Sequence, residues 1–172
     1  SGVLRQNCTF LAQEPFLFDG TLRENLDPLN VKSNEDIIEA LKKVKMWEWL
    51  EDWCESHASA VKGKGPLDLI IEGGGANMSI GQRQLLCVAR AILNKKKVVY
   101  LDEITSALDE DSEKVVEEIV EQLFADSTIL SISHRVRSLK NFDKIVVLDA
   151  GMVQKIDKPD VILNDPAYQI LE

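Results

Sequence analysis

With 172 residues, 45% of them hydrophobic and 28% charged, the chain is long enough for one domain with a real core, or for one domain carrying an inserted lobe. Its net charge of −9 excludes a generic nucleic-acid footprint but leaves a local phosphate site open. Cys8, Cys54 and Cys87 are odd in number and lack metal-ligand spacing, so they read as free thiols in a reducing compartment. There is no signal peptide, and no apolar run approaches membrane-spanning length.

Ser1-Gly2 reads as a scar of tag removal and is set aside. Residues 8–12 alternate as a short strand that the proline of Gln13-Glu14-Pro15 stops. An apolar loop follows and turns at Asp19-Gly20. Thr21 with Glu24 then fits a capping box, so a short helix starts at Thr21 and ends at Asp27-Pro28. Ser33-Asn34-Glu35-Asp36 opens a second helix, with Ile37, Leu41 and Val44 at helical spacing. A third helical piece holds Met46, Trp47, Trp49, Leu50 and Trp53, whose tryptophans read as the core of a small helical lobe. Residues 55–66 read as a mobile polar loop. Its Gly63-Lys64-Gly65 lacks the spacing of a phosphate loop.

Residues 69–77 end in a glycine cluster, Gly73-Gly74-Gly75, which lets the backbone approach something closely. Ser79 with Gln82 makes another capping box. The helix it starts has Leu85, Leu86, Ala89, Ile92 and Leu93 as its apolar face. A helix start offers free N–H groups and positive potential, which suits an anion. After Lys95-Lys96-Lys97, the run Val98-Val99-Tyr100-Leu101 reads as a strand buried on both faces, and it ends in Asp102 and Glu103. Asp109 or Ser112 caps the next helix, in which Val115, Val116, Ile119 and Leu123 face inward. Residues 128–132 read as a second buried strand leading to Ser133-His134-Arg135, and residues 144–148 as a third. A turn at Asp149-Ala150-Gly151 gives an antiparallel strand over 152–156, and a short helix after Pro159 closes the fold.

The order of elements predicts an α/β fold with a parallel sheet. Ligands of such sheets bind beyond the carboxyl ends of the strands, where Gln13, Asp102 with Glu103, and His134 can converge. One carboxylate can hold Mg²⁺ while the other polarises a water, and an imidazole can bind a phosphate oxygen. That division of labour suits phosphoryl transfer to water.

At this point the residues resemble a known family. Gln13-Glu14-Pro15 resembles the Q-loop of ATP-binding-cassette (ABC) ATPases, and Met78-Ser79-Ile80-Gly81-Gln82 is similar to their LSGGQ signature. Val98 to Glu103 resembles Walker B with its following glutamate, Ser106-Ala107-Leu108-Asp109 the D-loop, and His134 the H-loop. The similarity is greatest to the second nucleotide-binding domain of subfamily C (multidrug-resistance-associated) exporters, through residues 16–28, 74–79 and 81–87; these domains commonly depart from LSGGQ at the position of Ile80.

The resemblance implies a P-loop NTPase (RecA-like) core with an inserted helical subdomain at about 20–93, the core taking about 7–19 and 94–172 of a partial domain spanning 3–172. It implies an ATPase motor of an exporter, using ATP and Mg²⁺ at the cytoplasmic face of a membrane. Its partners would be transmembrane domains and a second nucleotide-binding domain in an ATP sandwich, with no nucleic acid. By position, Asp102 would hold Mg²⁺, Glu103 would be the general base, His134 would contact the γ-phosphate, and Gln13 would link Mg²⁺ to the transmembrane part. Ser79, Gly81 and Gln82 would grip ATP bound on the opposing domain, and Asp109 would lie at the domain–domain interface. The alternatives are a non-transporter ABC ATPase and a non-catalytic regulatory cassette.

No G-x-x-x-x-G-K-[ST] occurs in the chain, and no adenine-stacking loop can be placed. The expectation is a fragment whose missing strand and helix leave unpaired edges and bare apolar surface. Alone, it should bind ATP very weakly, hydrolyse none measurably and self-associate through the exposed sheet.

Overall fold

A computed structural model describes residues 7–57, 65–134 and 136–168. The Ser1-Gly2 scar, most of the polar loop with Gly63-Lys64, and Arg135 lie outside the described residues. The chain divides into two compact units, Ser1–Ser131 and Ile132–Glu172.

β1 (Cys8–Leu11) pairs in parallel with β4 (Val98–Asp102), and β5 (Thr128–Ile132), all but its last residue in the first unit, completes the order β1-β4-β5. The register sets Leu11 beside Leu101 and Phe10 beside Tyr100. Paired residues of a parallel ladder share a face, so Leu11, Val99 and Leu101 bury together while Phe10 and Tyr100 stand on the other side. This corrects the two-faced burial expected of these strands. β4 alternates half-buried and buried, β5 alternates exposed and half-buried, and Phe10, Leu130 and Ile132 are each about half exposed or more. The apolar run met the requirement for a strand covered by layers on both sides. Helix α4 (Ile80–Leu93) packs on the buried side against β1, and the other side is half-buried on β4 and largely exposed on β1 and β5.

Local chemistry places the helices. Thr21 caps α1 (Leu22–Leu26) and Ser33 caps α2 (Asn34–Lys43). Each is completed by a reciprocal acid, Glu24 or Asp36, in a capping box. Ile37, Leu41 and Val44 are fully buried, as their spacing predicts. Helix α3 (Trp47–Ser56) takes in Glu55 and Ser56, which were expected in the loop. Its buried residue is Leu50. The three tryptophans only pack against the edge of the core, so they are its rim and not its centre. Trp53 stacks on His57 at 4.4 Å. A two-residue ladder joins β2 (Gly20–Thr21) to β3 (Ile70–Ile71), tying the start of α1 to the approach of the glycine cluster.

Two helix faces also differ from expectation. In α4 the buried residues are Gln84, Leu86, Val88, Ala89 and Ala91, while Leu85, Ile92 and Leu93 are half-buried. In α5 (Glu110–Leu123), Val116, Ile119 and Val120 are buried but Val115 is exposed. Both stripes rotate by about one residue, as a real 3.6-residue turn drifts from a 3-and-4 count.

The second unit holds the short α6 (Val136–Leu139), then β6 (Ile145–Asp149) paired antiparallel with β7 (Met152–Asp157), then α7 (Pro159–Leu163). The expected third strand of the parallel sheet is therefore one arm of a separate hairpin. It is mostly exposed, with Val146 and Leu148 outward. Ala150 and Gly151 both have positive φ, which is the two-residue turn that matches strand twist. Lys155 pairs with Asp165 at 2.9 Å and lies over the Tyr168 ring. That hydrogen bond lowers the Asp165 carboxyl and raises the Lys155 ammonium relative to their ordinary values.

Candidate functional site

The parallel register that sets Leu11 beside Leu101 carries two residues further on each strand to Gln13 and Glu103. These two meet. The Gln13 Nε2 donates to Glu103 Oε2 at 3.3 Å and to Ser106 Oγ at 3.2 Å. The meeting depends on a backbone feature with no sequence signature. Glu103 has φ +47, in the left-handed region. Neighbouring strand residues point to opposite faces, and this single left-handed residue breaks the alternation where β4 ends at Asp102. A non-glycine residue there costs on the order of 1–3 kcal/mol and persists where the surroundings over-determine it. Two tight turns follow, Ser106 N to Glu103 O and Leu108 N to Thr105 O, with Ile104, Thr105 and Leu108 buried beneath. Thr105 donates its hydroxyl to Glu113 at 3.2 Å, fastening this loop to α5.

Asp102, Glu103 and Gln13 offer only oxygen ligands, hard donors that suit Mg²⁺. Among the described residues there is no group of three or more His, Cys, Asp or Glu side chains placed to hold a metal. Mg²⁺ commonly takes one or two carboxylates from protein and the rest of its ligands from phosphate and water, and such a demand is compatible with these donor types.

The second cluster is the start of α4. Ser79 N donates to Gln82 Oε1 at 2.9 Å, and Gln82 N donates to Ser79 Oγ at 3.2 Å. This box takes up the N–H groups of Ser79 and Gln82 together with the two acceptors. It leaves the Ser79 hydroxyl proton, the Gln82 Nε2 and the N–H groups of Ile80 and Gly81 as donors, which is what an anion needs. Ile80 is 40% exposed beside them. A Cβ on Gly81 would stand 3.7 Å from Ser112 Oγ, so this helix start lies against the start of α5. There Asp109 caps α5, accepting from Ser112 N at 3.0 Å and Ser112 Oγ at 2.8 Å. Those two bonds hold its carboxyl below the usual aspartate range.

The Ser79 and Asp109 starts thus adjoin each other, and Gln13 adjoins Glu103. His134 is exposed and stands two residues beyond β5, in the second unit.

Three further residues carry polar work that the sequence did not reveal. Gln84 is almost fully buried on α4 and donates to Ala12 O at 3.4 Å. Arg90, two turns on, donates to Asn25 O at 2.7 Å and Phe16 O at 3.1 Å. Buried Asn25 brackets Phe18, accepting from its N–H at 3.0 Å and donating to its carbonyl at 2.8 Å. Among the described residues, Gln84 Oε1 and Arg90 Nη2 are buried with no hydrogen-bond partner. Such an atom costs about 1–3 kcal/mol, so apolar residues would make a more stable joint. Between them on the helix, burial pushes the Cys87 thiol up, partly offset by Arg90, and all three cysteines are free.

A sequence model of the family described as "ABC transporter" matches residues 2–106, more than half of the chain. "ABC transporter C family member 3" of Dictyostelium discoideum is 39% identical over 95% of this chain and 11% of its own length. "ATP-binding cassette sub-family C member 4" of Homo sapiens is 38% identical over 94% of this chain and 12% of its own. "Metal resistance protein YCF1" of Saccharomyces cerevisiae is 41% identical over 94% of this chain and 10% of its own. The chain thus spans about a tenth of the length of the curated relatives it matches.

Proposed function

The chain belongs to the ABC transporter family, and on that premise we propose that it is part of the ATP-hydrolysing motor of a subfamily C exporter, most similar to the second nucleotide-binding domain of such proteins. Its fold class is that of the P-loop NTPases, and its family binds ATP. The observation that carries the reading is the contact of Gln13 with Glu103 across two parallel strand ends, with Glu103 held in a left-handed backbone.

In this reading Glu103 accepts the proton of the water that attacks the γ-phosphate. Gln13 restrains its carboxylate, and His134 donates to a γ-phosphate oxygen. Asp102, with Gln13, would hold Mg²⁺, whose chemistry is to neutralise charge on the phosphates. Ser79, Gly81 and Gln82 present their remaining donors to ATP bound on a second nucleotide-binding domain, and Asp109 lies at that domain boundary. The helical subdomain, about 20–93, is inserted into the core, and transmembrane domains are the other partner. The motor works at the cytoplasmic face of a membrane. Among the described residues no helix is long and apolar enough to cross a membrane. The 172-residue chain has no G-x-x-x-x-G-K-[ST], so by itself it binds ATP very weakly and turns none over measurably.

The test is steady-state ATP hydrolysis by the full-length protein, native against Glu103→Gln and His134→Ala. The reading expects both variants to lose turnover by about a hundredfold or more, as general-base removal does. Unchanged turnover in Glu103→Gln would overturn it in favour of a regulatory cassette.

A further inference from the structure

We infer that Gln84 and Arg90 are positioning residues for Gln13, so that the helix carrying the Ser79 anion site also sets the reach of Gln13 to Glu103. This rests on the motor reading above. The carbonyls that Gln84 and Arg90 hold belong to Ala12 and Phe16, on either side of Gln13. Arg90 also holds Asn25 O, and the Asn25 side chain closes on Phe18 from both backbone atoms. The segment from Ala12 to Asn25 is thus held by α4 at three carbonyls and tied internally at Phe18, and the Gln13 amide projects from it to Glu103 and Ser106.

The chemistry of the grip argues for position over stability. Among the described residues, Gln84 is buried with one oxygen unpartnered, and Arg90 is held by two bonds with one nitrogen unpartnered. A guanidinium is rigid and planar and can bridge two carbonyls at a fixed spacing. An ammonium at the same place is a flexible point donor. Arg90→Lys therefore keeps the charge but loses the fixed two-carbonyl bridge, and Gln84→Met keeps the volume but loses the amide.

The test is a double-mutant cycle in the full-length protein: Arg90→Lys and Gln84→Met, each made in the native and the Gln13→Ala background, reading kcat and KM for ATP. Positioning through Gln13 predicts that Arg90→Lys lowers kcat about tenfold in the native background with KM within about twofold, and changes kcat less than about twofold once Gln13 is gone. Gln84→Met should follow the same pattern to a smaller extent, and it serves alone if Arg90→Lys fails to accumulate. Without nucleotide, backbone amides of residues 13–18 should exchange about tenfold faster in Arg90→Lys. Equal fold losses in both backgrounds, or a KM effect alone, would overturn the inference. Glu103→Gln runs alongside. Abolished turnover with an additive cycle sinks only the positioning role, whereas turnover independent of Glu103 sinks the motor reading and this inference with it.

Discussion

Glu103 shows how much chemistry one backbone angle carries. Its φ of +47 is what lets a residue next to a strand end leave the strand's alternation. That strain predicts an ordering among substitutions. Glu103→Val should destabilise the fold by about 1–3 kcal/mol, because a β-branched residue tolerates the left-handed region worst, whereas Glu103→Asn should be neutral or stabilising although it removes the base. Urea unfolding checks this, and equal stabilities for Val and Asn would contradict it. The identity of Glu103 was legible in the sequence, since an acid pair ends an apolar run. Its conformation was not, because glutamate has no preference for positive φ and only the loop beneath it imposes one.

Asp109 makes a pH prediction at the same scale. Its carboxyl is held below the ordinary 3.8 by the Ser112 N–H and O–H. A depressed folded value means that the cap contributes fully above the ordinary value and is lost as pH falls below 3.8 through the lower folded one. An NMR titration should place the Asp109 midpoint below 3.8, and Asp109→Asn should keep the cap while erasing that dependence. A midpoint at or above 3.8 would contradict the geometry.

Among elements, the helix starts were the most legible part of the sequence. Thr21, Ser33 and Ser79 each cap where a hydroxyl is followed three residues later by a reciprocal acid or amide, because a capping box needs nothing beyond four consecutive residues. Ser79→Ala should then cost about 1 kcal/mol of stability, measured by chemical unfolding, and a change below about 0.3 would mean the box is idle. Faces of elements were less legible, because they depend on what packs against them. β4 has the composition of a two-faced strand but is fully buried on one face and only half-buried on the other. Nothing in the sequence singles out Gln84 and Arg90, and only the fold shows that the Ala12 and Phe16 carbonyls lie opposite them. The glycine cluster was rightly read as a close approach. Gly75 is buried at φ +90, and a Cβ there would come 2.7 Å from Arg83 Cδ and 3.0 Å from Leu17 Cδ1. Gly75→Ala should destabilise by about 1–3 kcal/mol from backbone strain and crowding together, and a neutral result in thermal unfolding would contradict it.

For the molecule as a whole, the α/β class and the gathering of Gln13 and Glu103 at neighbouring strand ends followed from strand order, the left-handed turn at Glu103 did not, and β6 pairs with β7 outside the parallel sheet. Within the first unit the sheet leaves Phe10 and Leu130 exposed, an apolar surface of the kind that pairs between copies. We propose that the isolated chain self-associates through this face. Light scattering should show mass rising with concentration, and Phe10→Asp with Leu130→Asp should restore a monomer. A clean monomer at all concentrations would refute it.

The measurement that tests the central claim most directly is nucleotide occlusion in the full-length protein, with γ-labelled ATP followed in the native and Glu103→Gln forms. If Glu103 drives attack on the γ-phosphate, the native form releases labelled phosphate turn after turn, while Glu103→Gln holds ATP with its γ-phosphate intact. If both forms release phosphate alike, or neither retains nucleotide, the residues gathered around Glu103 are not a hydrolytic centre and the motor account is wrong.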